Sequence, residues 1–314
     1  MSMVLQSKYE LSIKGYKLFI TNRLLRLYPV YWIVLVLTLV GFLLYKSYFF
    51  AEFSNLSFLT SLFMIFTNLF LFFQDIVLFL GVTSDNGNLY FTTNFQLSSP
   101  PLFHFLLVPQ GWSLGIELLF YVTVPFIVKL KSNRILALIT FSLLLRLVLY
   151  SVFNLNVDPW TYRFFPNEII FFLLGIMSQR NSNRIISVFK PNPIYLQSLL
   201  LAYVFFYFRL PEFKMSFSPF SFNSTLLFFM VYFSIPILFN FYKNIKWDRY
   251  IGELSFPIYI SHMLILYIVK AIGNESFESE IVIVGTIIFS IFLVHFISNP
   301  VERFRQNRIQ QKSN

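Results

Sequence analysis

Residues 29–48 read PVYWIVLVLTLVGFLLYKSY, an apolar run that meets no charged side chain before Lys46. A hydrocarbon core about 30 Å thick takes roughly 17 to 25 apolar residues of helix, and this block has that length. Further apolar blocks follow at 56–80, 111–128, 135–153, 164–179, 193–208, 223–242, 254–272 and 281–299, each bounded by polar residues. The pattern predicts an all-α fold, a polytopic transmembrane helical bundle of about nine segments. Composition agrees. The 314 residues are 57% apolar and 12% charged, against about 45–50% and 25% in soluble domains. With 43 Phe, 18 Tyr and 4 Trp there is too little polar surface to coat a soluble core. A cytoplasmic or secreted globular enzyme is excluded, and an integral, multi-pass membrane protein is expected.

The absence of Cys removes disulfide frameworks, thiol nucleophiles, zinc-thiolate sites and iron–sulfur clusters. The net charge of +10 matches cytoplasmic loops under the positive-inside rule, so no nucleic-acid partner is expected. Residues 1–28 lack the apolar core of a signal peptide and carry Lys8, Lys14, Lys17, Arg23 and Arg26, which makes them a cytoplasmic N-terminal segment. Residues 29–303 form the membrane domain and 304–314 a basic cytoplasmic tail. The loops alternate in basic content, from Lys129, Lys131 and Arg134, through Arg180, Arg184 and Lys190, to Lys243, Lys246 and Arg249. Between these lie the pair Asp158 and Arg163 and the mixed loop with Glu212 and Lys214; the acidic loop with Glu275, Glu278 and Glu280 follows, ahead of a tail with Arg303, Arg305, Arg308 and Lys312. One parity conflict remains. The basic N-terminus belongs inside and the 81–110 loop, without Lys or Arg, belongs outside, yet two blocks separate them. Either 56–80 dips in and returns, or it holds one crossing and a second short membrane piece near Asp75; irregular backbone at that depth must be buried in protein. No internal repeat is evident, which disfavours a repeat-built transporter.

Intramembrane charges are the candidates for chemistry. Ser113 and Glu117 are i and i+4 in Trp112-Ser113-Leu114-Gly115-Ile116-Glu117, so hydroxyl and carboxylate share one helical face, with Tyr121 one turn further. They form a reacting pair or a helix cap. Arg23 and Arg26 stand three residues apart where the first block begins; they suit phosphates, or they anchor the helix at lipid headgroups. His262, inside an apolar block, is either an acid–base group or an interhelical hydrogen-bond donor. Arg146 and Glu168 are further membrane charges, read as a structural ion pair, with each other or with Glu117, or as substrate contacts. His104 and His295 lack metal-ligand spacing, and no metal site is expected.

In order, Arg-x-x-Arg-x-Tyr-Pro-x-Tyr at 23–31, Trp-Ser-Leu-x-x-Glu-x-x-Phe-Tyr at 112–121, Arg-Phe-Phe-x-x-Glu-x-x-x-Phe-x-x-Gly at 163–175, Gly-Glu-Leu-Ser-x-x-x-Tyr-x-x-His at 252–262 and Asn-Pro-Val-Glu-Arg at 299–303 resemble the acyltransferase-3 family of membrane O-acyltransferases. The resemblance spans nearly the whole chain. It implies an enzyme that transfers an acyl group other than an aminoacyl group, commonly acetyl, from cytoplasmic acyl-CoA to a hydroxyl of a cell-envelope or exported polysaccharide, at a bacterial inner membrane. It implies acyl-CoA as donor substrate with no permanently bound cofactor, and as partners the donor, a glycan acceptor and the lipid bilayer. It places Arg23 and Arg26 near the CoA phosphates and Ser113, Glu117 and His262 at the transfer site, with Trp112, Tyr121, Arg146, Arg163 and Glu168 as substrate or structural residues. Members similar to this chain begin with two further helices, the first bearing a His held to be the catalytic base. Met1 to Leu5 look like the end of the second. The expectation is therefore an N-terminally truncated product, inactive when expressed alone, unless His262 does the base's work. A flippase or transporter of a lipid-linked saccharide is the competing function, since it needs the same buried charges without bond formation.

Overall fold

The computed structural model describes residues 13–189, 192–211, 220–273 and 278–313; the sequence readings placed on Met1 to Leu5, Lys8, Lys190, Glu212, Lys214 and Glu275 fall outside them. The first helix, α1, runs Ile13–Tyr45, so the expected cytoplasmic segment 1–28 is helical from residue 13 onward. Pro29, read as the start of a block, sits inside the helix instead. Leu18, Phe19, Leu27 and Tyr28 before it and Val30, Tyr31 and Val34 after it are all buried, and that continuous packing outweighs the carbonyl that the proline leaves without its helical donor.

The 56–80 block is corrected in the same way. Only Phe58–Phe70 (α3) is helical, after a short helix α2 at Ser47–Ser54. Thirteen residues span about 20 Å, too little for a hydrocarbon core of about 30 Å. The helix ends at Leu71 with φ of 62°. A helix ending at depth leaves its last carbonyls without donors, which is costly away from water. Here each has one. The Tyr31 hydroxyl donates to the Asn68 carbonyl, Trp32 Nε1 to that of Leu69 at 2.9 Å, the Tyr28 hydroxyl to that of Phe70, and Gln74 Nε2 to that of Thr67 at 3.1 Å. The Tyr-Pro-Val-Tyr-Trp run of α1 is thus a side-chain cap for α3.

The other end of α3 is held as tightly. Ser57 Oγ accepts from the Thr60 amide, and the Gly87 carbonyl accepts from Thr60 Oγ1 at 2.7 Å and from the Ser57 amide. Gly87 has φ of +65°, and a Cβ there would lie 2.4 Å from the Asn55 carbonyl oxygen, so only glycine fits. Gly87 belongs to the turn of an antiparallel hairpin, β1 (Leu80–Val82) and β2 (Leu89–Phe91), with Gly81 opposite Tyr90. The segment expected to be a polar loop, 81–110, therefore packs back: Val82, Leu102, Phe105 and Leu106 join Phe42, Phe49, Leu56, Met64 and Val77 in one buried cluster. Asn68 ties it to α3, donating to the Phe105 carbonyl and accepting from the Leu107 amide. With α3 entering and ending, the hairpin returns to the side on which α1 ends, and the parity conflict disappears.

The later helices are α4 (Trp112–Ile127), α5 (Ser132–Ser151), α6 (Phe165–Arg180), α7 (Ser182–Phe189), α8 (Pro193–Phe206), α9 (Phe222–Tyr242), α10 (Lys246–Ile272) and α11 (Glu278–Leu293). A π-turn at Val294–Ser298 carries α11 into α12 (Asn299–Ser313), so the expected tail at 304–314 continues a helix. Among the described residues five helices are long and apolar enough to span: Ile13–Tyr45, Ser132–Ser151, Phe222–Tyr242, Lys246–Ile272 and the continuous Glu278–Arg308. The expected number of about nine is reached only by adding shorter helices. Apolar side chains face outward (Phe208, Phe58 and Leu59 are more than 70% exposed) while Thr38, Ser142, Ser178, Ser261 and Ser290 are buried. That is the distribution of helices packed in lipid, where small polar residues allow close approach. This is an integral, multi-pass membrane protein.

The chain divides into two compact units, one of residues 123–249, the other of 8–122 with 250–314. In the first, Arg146 on α5 is 4% exposed; its Nη2 lies 2.7 Å from Glu168 Oε1 and donates to the Asn167 carbonyl, and its Nη1 donates to the Thr161 carbonyl. Arg180 closes the end of α4, donating to the Val128 and Leu130 carbonyls at 2.9 and 2.8 Å.

Candidate active site

Within the second unit the sequence candidates meet along one face of α4. Ser113, Glu117 and Tyr121 recur at four-residue spacing, and Ser113 to Tyr121 covers about 12 Å of helix. At the Ser113 end, Ser113 Oγ is 2.7 Å from the Tyr259 hydroxyl, which also donates to the Gln110 carbonyl at 2.6 Å. Gln110 Nε2 donates to the Ile260 carbonyl at 2.7 Å, locking the start of α4 to α10. His262 follows Tyr259 by three residues, on the same helical face, and its Nδ1 is 2.7 Å from the Tyr259 carbonyl oxygen. A carbonyl only accepts, so Nδ1 carries a proton, and in the neutral imidazole the lone pair lies on Nε2. That is the tautomer of a base.

At the other end the Tyr121 hydroxyl donates to Glu117 Oε1. The Tyr121 ring packs edge-on against Phe19, with centroids 6.1 Å apart, and the Arg23 guanidinium lies 5.4 Å from the Phe19 ring and 5.5 Å from that of Tyr121. Arg23 is 6% exposed, its Nε has no hydrogen-bond partner, and it has no ion-pair partner among the described residues. Arg26, one turn on, is exposed. A buried cation set against two rings, with no ion pair among the described residues, is well placed for an anionic group.

The structure therefore brings together Arg23, Tyr121, Glu117, Ser113 and His262, with Trp112 half-buried at the first position of α4. The other three candidates fall in the first unit. Arg146 and Glu168 are the structural ion pair, which decides between the partners left open from sequence. Arg163 grips Asp158 with two bonds, Nε to Oδ1 at 2.7 Å and Nη2 to Oδ2 at 2.9 Å, beside the Tyr162 hydroxyl on the same carboxylate. Burial, reinforced by that carboxylate, raises the Tyr162 hydroxyl above the ordinary tyrosine pKa. Sequence reasoning quoted Tyr259 and passed over Gln110. The i, i+3 spacing of Tyr259 and His262 was the available signal; the link to Ser113 crosses 146 residues and had none. His104 and His295 are exposed, and no group of His, Asp or Glu able to hold a metal occurs among the described residues.

The family model described as an acyltransferase domain, that of the acyltransferase-3 family, matches residues 9–298. A chain of Aquifex aeolicus (strain VF5) carrying the name "Uncharacterized protein" is 28% identical over 212 residues, which cover 64% of this chain and 90% of that one. No solved structure matches.

Proposed function

The chain belongs to the acyltransferase-3 family, and on that premise we propose that it moves an acyl group, acetyl first among the candidates, from cytoplasmic acyl-CoA to a hydroxyl of a cell-envelope or exported polysaccharide. The observation that carries the reading is the line of polar groups on one face of α4, with the buried Arg23 guanidinium, Tyr121 and Glu117 at one end and the Ser113, Tyr259 and His262 cluster at the other. A long donor with phosphates at one end and a thioester at the other matches such a track. Arg23 and Arg26 take the phosphates, and the thioester reaches the Ser113 end.

There the acceptor hydroxyl gives its proton to His262 Nε2 while its oxygen attacks the thioester carbonyl carbon. The tetrahedral intermediate collapses, the C–S bond breaks, and the imidazolium returns its proton to the departing thiolate. The products are an O-acyl ester and free CoA, and atoms and charge balance. Glu117 orients the acceptor or stabilises the imidazolium, and the Tyr259 hydroxyl, donating to the Gln110 carbonyl and accepting from Ser113, holds Ser113 at the transfer site. On this reading the enzyme works in a bacterial inner membrane.

The test uses radiolabelled acetyl-CoA with membranes containing the protein. Label recovered on glycan, or on a soluble sugar surrogate, supports acyl transfer. Movement of glycan across the membrane without label supports the flippase reading instead.

A further inference from the structure

Far from the Arg23 end, a cavity of about 550 Å³ opens between the last turns of α1 and α10. Its walls are largely apolar, including Phe42, Leu264, Tyr267 and Ile268, and Lys46 and Lys270 also line it. The Lys46 ammonium lies 4.5 Å from the Phe42 ring and 4.3 Å from the Tyr267 ring, and has no ion-pair partner among the described residues. Lys270 is 61% exposed and only loosely held by Glu278, at 3.7 Å. The two ammonium groups are close enough to repel each other. Like charges beside an apolar cavity are relieved by an anion that brings its own apolar chain. Lys46, just past the end of α1, is 23 positions beyond Arg23, about 35 Å of helix, so the cavity lies at the opposite boundary of a core about 30 Å thick.

We propose that this cavity binds an anionic phospholipid of the surrounding leaflet, with its phosphodiester between Lys46 and Lys270 and an acyl chain against the apolar walls. A zwitterionic lipid brings an ammonium of its own toward two lysines and is disfavoured. The proposal does not rest on the acyl-transfer reading, because its test reads lipid retention.

The full chain is placed in nanodiscs of equimolar phosphatidylglycerol and phosphatidylcholine, extracted, and the lipids retained are counted by native mass spectrometry. Phosphatidylglycerol should be retained at least about fivefold over phosphatidylcholine, on the scale of one interfacial lysine, and K46Q/K270Q should bring the ratio near one while K14Q/K17Q leaves it unchanged. Gly41 borders the cavity and a Cβ there meets nothing within 4 Å, so Gly41→Phe should fill the space, keep the thermal midpoint and cut retention of both lipids. Equal retention of the two lipids by the unaltered protein, or selectivity that survives K46Q/K270Q, overturns the proposal. So does full displacement of phosphatidylglycerol by millimolar inorganic phosphate, since the chain would then contribute nothing.

Discussion

His262 is useful as a base because of what its other nitrogen does. With Nδ1–H committed to the Tyr259 carbonyl, Nε2 is fixed as the acceptor, and the same tyrosine's hydroxyl sits on Ser113. His262→Ala and Glu117→Gln, each checked for normal insertion, should lower turnover at least about a hundredfold in any form of the protein that shows activity. Tyr259→Phe keeps the carbonyl and loses only the hydroxyl, so turnover should fall by up to about tenfold, one neutral hydrogen bond, with donor KM nearly unchanged. A Tyr259→Phe variant as inactive as His262→Ala would show that the hydroxyl itself handles the proton. At the donor end, Arg23→Ala and Arg26→Ala should mainly raise the acyl-CoA KM, and lysine should rescue poorly because the planar fork is lost. Unchanged donor kinetics in the double alanine variant would remove the phosphate assignment. The candidate types were legible one by one, since a charge inside an apolar block is conspicuous. Their grouping was not: Arg146, Glu168 and Arg163 look the same in sequence as Glu117 and Arg23, and only packing separates three structural charges from the track.

Among the elements, α3 depends most on its neighbours. Tyr31→Phe leaves the buried Asn68 carbonyl without that donor and should cost about 1–3 kcal/mol. Gly115 gives a second test, because a Cβ there would lie 3.0 Å from the Leu71 carbonyl oxygen and 3.2 Å from Asp75 Oδ1, where the chain leaves α3. Gly115→Ala should lower the thermal midpoint in detergent, whereas Gly175→Ala, which meets nothing within 4 Å, should leave it unchanged or raise it by the alanine helix preference. Equal effects at the two glycines would mean that the close approach at Gly115 is unimportant. The apolar run at 56–80 could not reveal its own early stop. Hydropathy measures how well side chains suit lipid, and a helix that ends halfway is as apolar as one that crosses; what stops it is a set of donors on a different helix.

For the whole molecule, the re-entrant reading fixes which ends share a side of the membrane. The chain has no cysteine, so single-cysteine variants report without background. Lys14 and Asp85 are both exposed, and with α3 returning they lie on opposite sides. A membrane-impermeant maleimide applied to intact cells should label Asp85→Cys and spare Lys14→Cys; labelling of both from one side would mean that 56–80 crosses after all. The sequence by itself determined that this chain is a helical membrane protein of the acyltransferase-3 kind, because block length against bilayer thickness and the order of five short motifs are properties of the chain alone. Only the tertiary structure decided that α1 runs through Pro29, that Tyr28, Tyr31 and Trp32 cap a helix ending at depth, and that Ser113 meets Tyr259. Each depends on a hydrogen bond or packed face supplied from a distant part of the chain, and in a medium without water such partners come from the protein itself.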